Sequence, residues 1–246
     1  MSAIAEPRSP GLLRQSRVIA AKDLRIELRS RIVLNQVVPF ALVVLVMFGF
    51  ALDDDAVLSR VAPGLIWLAT MFSLLIVVQR AFAVETADGA LDALQVAGVR
   101  PSGIFLGKTA ALVVQLIVLQ VVAVALAVLL YQPASGSTGE RLRLDLPGLA
   151  LLAVTLLAAT CGLAFVGTIY GGLAAGATGR ETLLPLLLLP VAAPVLIGAT
   201  RATQASLHVG GTSMREGWAW VALLVTFATV FGIGGSLAFG SLMDDQ

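Results

Sequence analysis

Six uninterrupted apolar runs, at residues 32–52, 61–79, 109–131, 146–176, 182–200 and 217–243, constrain this chain more than any other feature. At about 1.5 Å of rise per helical residue, each run can cross a hydrocarbon layer about 30 Å thick. Every charged residue falls between the runs. A lone charge at mid-bilayer costs about 2.5–3.5 kcal/mol on insertion scales, so this segregation is what a lipid-solvated helix requires. With 58% hydrophobic side chains and only 13% charged ones, the chain cannot be an ordinary water-soluble domain. The expected fold is an all-α polytopic membrane protein of six transmembrane helices forming a single domain over residues 1–246. A β-barrel is excluded, because its strands alternate polar with apolar over about ten residues. The stretch 112–130 is instead apolar on every helical face.

The basic residues set the orientation. Placing the N-terminus in the cytoplasm puts Arg8, Arg14, Arg17, Lys22, Arg25, Arg29, Arg31, Arg80, Arg100, Lys108 and Arg180 inside. Arg60, Arg141, Arg143, Arg201 and Arg215 then lie outside. The excess of inner basic residues favours that orientation and, with six spans, a cytoplasmic C-terminus. No cleavable signal peptide is expected, since the first apolar run begins only at Ile32 and exceeds a normal signal core. The net charge of +1 gives no field suited to nucleic acid.

Chemistry, if there is any, must sit between the spans. Residues 11–31 place Leu12, Ile19 and Ile26 on one stripe and Lys22, Arg25 and Arg29 beside it. Both a surface-lying helix and a merely basic topogenic tail fit this imperfect pattern. The segment 80–108 is more informative. Val84, Ala87, Leu91 and Leu94 form an apolar stripe, and Glu85, Asp88 and Asp92 form an acidic one roughly 110° round the helix. That pattern predicts a short amphipathic helix between spans two and three, with Asp88-Gly89 either starting it or bending it. On pattern alone it is an interfacial linker or a docking element.

Several other features are weighed and set aside. Gly107-Lys108-Thr109 resembles the end of a phosphate-binding loop, but Ser102 stands where that loop needs its first glycine. Any ATP is therefore expected on another chain. Cys161 is the one cysteine and His208 the one histidine, which excludes intrachain disulfides and multi-histidine metal sites. His208 and Met214 offer a remote haem-ligand pair against the simpler reading of a solvated loop. The outer loop at residues 132–145 reads as a flexible connector. Gly167, Gly171, Gly172 and Gly176 predict close packing of span four, with tilt or a break at Gly171-Gly172. Pro185, Pro190 and Pro194 predict a kinked span five. No charge lies in mid-span, which argues against an ion pathway or an intramembrane enzyme.

Three motifs in order resemble one family. Phe82-xx-Glu85-xx-Asp88-Gly89-x-Leu91-xx-Leu94, with Lys108 at the mouth of the next span, is similar to the cytoplasmic loop of the CcmB family. Pro63-Gly64-Leu65-Ile66-Trp67 resembles its Pro-Gly-x-x-Trp signature, and Pro190-xxx-Pro194-Val195-Leu196-Ile197-Gly198 resembles its span-five motif. This family supplies the permease subunit of the cytochrome c maturation (haem exporter) ABC system in the bacterial inner membrane. The resemblance implies a cytoplasmic ATPase partner that binds ATP, further membrane subunits of the same pathway, and haem or a haem-loaded chaperone as cargo. It also implies that Glu85, Asp88, Gly89, Leu91 and Leu94 couple the permease to that ATPase. It assigns no cofactor, catalytic residue or metal to this chain, and nothing to His208. A permease for another ABC cargo, such as lipid or drug, and a passive membrane scaffold remain the alternatives. The longer Ser/Gly-rich outer loop before span four departs from the family pattern.

Overall fold

The computed structural model describes residues 11–31, 33–87, 98–131, 142–175 and 180–244. Seven α-helices account for nearly all of them: α1 Leu12–Ser30, α2 Val38–Ala51, α3 Asp55–Ala87, α4 Pro101–Leu130, α5 Leu146–Ala175, α6 Arg180–Ser206 and α7 Met214–Asp244. No strand occurs among the described residues. Helices α3 to α7 are each long and apolar enough to cross a membrane, and a sixth crossing is formed if α1 and α2 are counted as one bent pair. The expected all-α polytopic architecture is what the chain adopts.

The helices alternate in direction. Helices α2 and α4, two apart in the order, run parallel and are joined at their C-terminal ends by Tyr131, just after α4, whose hydroxyl donates to the Leu45 carbonyl of α2. At the other end, Phe105 near the start of α4 meets Phe239 near the end of α7, with ring centroids 5.5 Å apart. Helix α5 is the hub, packed by α3, α4, α6 and α7. Helix α3 is the most enclosed, with 72% of its apolar window buried, against 17% for α7. In lipid, burial between helices supplies little hydrophobic drive, so close approach and satisfied polar groups must hold the bundle. The glycines of α5 supply the first. A carbon added at Gly171 would lie 2.6 Å from the Phe82 ring, and one at Gly172 would lie 2.9 Å from Phe239. Several polar groups inside are paired, Trp67 Nε1 donating to Thr203 Oγ1 at 2.9 Å, Thr160 Oγ1 to Gln120 Oε1 at 2.8 Å, and Thr109 and Thr168 sharing a bond of 3.0 Å, while Gln120 Nε2 and Gln115 Oε1 are buried without a hydrogen-bond partner among the described residues.

The helices differ from the apolar runs in instructive ways. Run 32–52 is not one regular helix, because Val33–Val37 forms a π-helical turn before α2. Helix α5 passes through Gly171-Gly172 without a break, and those glycines admit aromatic rings. Helix α6 likewise carries Pro185, Pro190 and Pro194 within its length. Helix α3 outruns its apolar stretch at both ends, and α4 begins two turns before its own, at Pro101. Val84 and Ala87 therefore continue α3 and do not open a separate helix.

Candidate functional site

Of the expected coupling residues the structure describes one. Glu85 lies in the last turns of α3, while Asp88, Gly89, Leu91 and Leu94 lie outside the described residues. What the structure does place is a set of contacts on the two flanks of that segment.

Helix α1 lies along the first half of α4. Its buried face is Gln15, Ser16 and Ile19, with Asp23 mostly covered one turn further on. Ile26 is 41% exposed, and Leu13, Val18 and Leu28 point away from the bundle. The stripe that docks α1 is thus small and polar around Ile19, while the larger apolar residues face outward, as an interfacial helix requires. Two glycines of α4 permit the contact. A carbon at Gly107 would sit 2.7 Å from Ile19 Cβ and 2.8 Å from the Ser16 carbonyl, and one at Gly103 would sit 3.0 Å from Gln15 Oε1. Gly107 therefore lies inside a helix as a packing notch and belongs to no phosphate loop.

Next to that notch, Lys108 is buried, its side chain 1% exposed. Its ammonium lies 3.6 Å from Asp23 Oδ2 of α1, donates to the Ala81 carbonyl of α3 at 3.4 Å, and stands 4.7 Å from the centre of the Phe82 ring. Lys22 reaches the same carboxylate at 3.3 Å. A single cation thus joins α1, α3 and α4 in a water-poor site, where pairing and a π-face together offset the desolvation of the charge. On the other flank, the backbone N–H of Arg100 donates to Gln15 Oε1 at 3.2 Å. Helix α1 consequently holds the chain after residues 88–97 directly, through Gln15, and the chain before them by way of Lys108 of α4. Glu27 carries the same stripe onward, its Oε1 accepting from the Val33 N–H at 2.6 Å where the chain turns into the π segment.

Sequence reasoning found Lys108 and Phe82 but missed Asp23. The signal was present: Gln15, Ile19, Asp23 and Glu27 recur every four residues along one face, and two of them are carboxylates in an otherwise basic segment.

At the opposite end, His208 adopts a left-handed backbone with φ of 55°, and its Nε2 lies 3.0 Å from Asp145 Oδ1. The same carboxylate oxygen accepts from the Gly148 N–H at 2.8 Å, capping α5. Those bonds, the one to His208 first, hold the Asp145 carboxyl below its ordinary range. Met214 instead packs with the small apolar cluster of Leu151, Ala202, Ala205 and Val221. The Pro-Gly-x-x-Trp motif joins α3 to α6 through Trp67 and Thr203.

Comparison with known proteins agrees with the motifs. The family described as CcmB protein matches residues 14–241. Heme exporter protein B of Rhodobacter capsulatus is 29% identical over 219 residues, covering 88% of this chain and 90% of its own length. That of Bradyrhizobium diazoefficiens is 31% identical over 212 residues, covering 86% and 90%. Heme exporter protein B of Pseudomonas aeruginosa is 28% identical over 226 residues, covering 89% and 95%. With the match running almost from end to end, the chain belongs to the CcmB family.

Proposed function

We propose that this chain is the membrane-spanning permease of an ABC transport system for cytochrome c biogenesis in the bacterial inner membrane. Family membership over residues 14–241, among relatives named as haem exporters, carries the proposal. The phosphate-loop look-alike is not expected to hold a nucleotide, since Gly107 and Thr109 are engaged in helix packing and in the bond to Thr168. ATP is bound and hydrolysed by a cytoplasmic partner. That partner docks on Glu85, Asp88, Gly89, Leu91 and Leu94, and other membrane subunits complete the assembly. Haem, or release of a haem-loaded chaperone, is the cargo step. Because α1 holds one flank of residues 88–97 directly and the other by way of Lys108, a push on that segment is received by α1, α3 and α4 together.

Recruitment of the ATPase tests this reading. Leu91→Asp with Leu94→Asp should abolish co-purification while leaving membrane insertion intact, each anchor being worth about 1.5–3 kcal/mol if buried in the partner. Glu85→Gln should weaken assembly modestly and flatten its salt response. Asp88→Asn should be milder than Asp88→Ala if Asp88 caps a helix. Wild-type recruitment and ATPase stimulation by all of these variants would remove the segment from the mechanism.

A further inference from the structure

At the end opposite α1, between the first turns of α3 and the last turns of α6, lies an open groove of about 540 Å³. Gly64 forms its floor, where an added carbon would meet only the Thr200 methyl, at 3.7 Å. Leu196 and Ile197 line it, and Ile197 is 57% exposed, so the groove opens sideways between two membrane-crossing helices. Arg60 from α3 and Arg201 from α6 are both exposed and both line it. Between them Gln204, itself only 9% exposed, accepts from Arg201 Nη1 at 3.4 Å and donates to the Arg60 carbonyl at 3.2 Å.

Among the described residues neither guanidinium has a carboxylate within 4.0 Å. Asp54, six residues before Arg60, directs its carboxylate to the Ala56 and Val57 N–H groups at the start of α3. Two planar cations over a lipid-facing apolar cleft match a molecule with an acidic phosphate at one end and hydrocarbon at the other. Guanidinium groups bind phosphate in paired hydrogen bonds, and basic pockets between membrane helices select acidic headgroups.

We propose that this groove holds an acidic phospholipid of the surrounding bilayer, its phosphate between Arg60 and Arg201 and an acyl chain along Leu196 and Ile197. This site is a property of the chain alone and does not depend on coupling to an ATPase.

Protein purified in neutral detergent, titrated with phosphatidylglycerol or phosphatidylcholine and read by native mass spectrometry, tests the assignment. Phosphatidylglycerol should bind in preference to phosphatidylcholine. Arg60→Gln with Arg201→Gln should weaken it on the order of tenfold or more, the scale of losing charged hydrogen bonds. Lysine at both positions should recover part of that loss. Gly64→Leu, which fills the floor and leaves both charges, should also displace the lipid. Arg29→Gln, an exposed charge on α1, should change nothing. Equal binding of both lipids, unchanged affinity in the double glutamine variant, or arginine-dependent capture of haemin in preference to phosphatidylglycerol would each overturn the proposal.

Discussion

Replacing Asp23 with asparagine removes the carboxylate but keeps its shape, leaving the Lys108 ammonium buried without the countercharge of α1. Breaking one side of a buried pair costs about 3–5 kcal/mol in general. Here the ion pair is long, at 3.6 Å, and Asp23 retains 14% exposure, so the lower part of that range applies. The Ala81 carbonyl and the Phe82 ring stay in place and soften the loss further, by about 1 kcal/mol. The expected destabilisation is therefore about 2–3 kcal/mol, which makes release of α1 from α4 about 30- to 150-fold easier. Lys108→Met should cost less than Asp23→Asn, since it removes the buried charge and leaves Asp23 with Lys22 at 3.3 Å. Combining the two should be better tolerated than Asp23→Asn alone. Hydrogen exchange along α1 and the thermal midpoint of the purified protein measure this ordering. If Asp23→Asn shifts stability by less than about 0.5 kcal/mol, or if Lys108→Met proves the more damaging, the ion pair does not anchor α1.

Three further outcomes are expected. Gly107→Ala, whose new carbon would sit 2.7 Å from Ile19 Cβ, should loosen α1 by about 1–3 kcal/mol, whereas Gly234→Ala, with nothing within 4 Å, should stabilise α7 by about 0.5–1 kcal/mol. Thermal midpoints moving in the same direction would contradict the packing account. Because the folded state lowers the Asp145 pKa, its bonds to His208 and Gly148 stabilise the fold above the ordinary carboxylate range and are lost as pH falls through that lowered value, below about pH 4. A fluorophore on Arg215→Cys, in a Cys161→Ala background, should report that transition, and Asp145→Asn should erase it. In intact cells an impermeant thiol reagent should label Asp54→Cys and not Arg29→Cys; the reverse pattern would invert the orientation deduced from charge.

The chain's topology was legible because lipid enforces it. A helix crossing hydrocarbon must be apolar over its whole length, so segregation of charge alone located α2 through α7. Less legible were the places where residues answer to each other and not to lipid. Lys108 follows the rules of a flank residue in sequence, yet α4 starts at Pro101 and carries it under α1. One of its partners there is Asp23, which is 85 positions away and invisible to any local window. Gly171-Gly172 suggested a bend, but a glycine pair also makes room for rings, and Phe82 and Phe239 took that room. Leu12, Ile19 and Ile26 suggested the apolar stripe of a surface-lying helix, and of the three only Ile19 is buried. The buried face is instead Gln15, Ser16 and Ile19, because Gly103 and Gly107 of α4 let the two helices approach closely there.

The π-helical turn at Val33–Val37 has a kinematic consequence. Such a turn stores about one residue more than the α turn it replaces. Were that residue wound into α2, the chain before it would rotate by about 100° and advance by about 1.5 Å along the axis. The far end of α2 is pinned by Tyr131, whose ring also lies 3.2 Å from where a carbon on Gly49 would stand. Rotation would therefore be delivered toward α1, whose Glu27 already holds the Val33 N–H at the edge of the turn. The joint between α1 and α2 is in this sense a one-residue screw thread, with its stop at one end and its handle at the other.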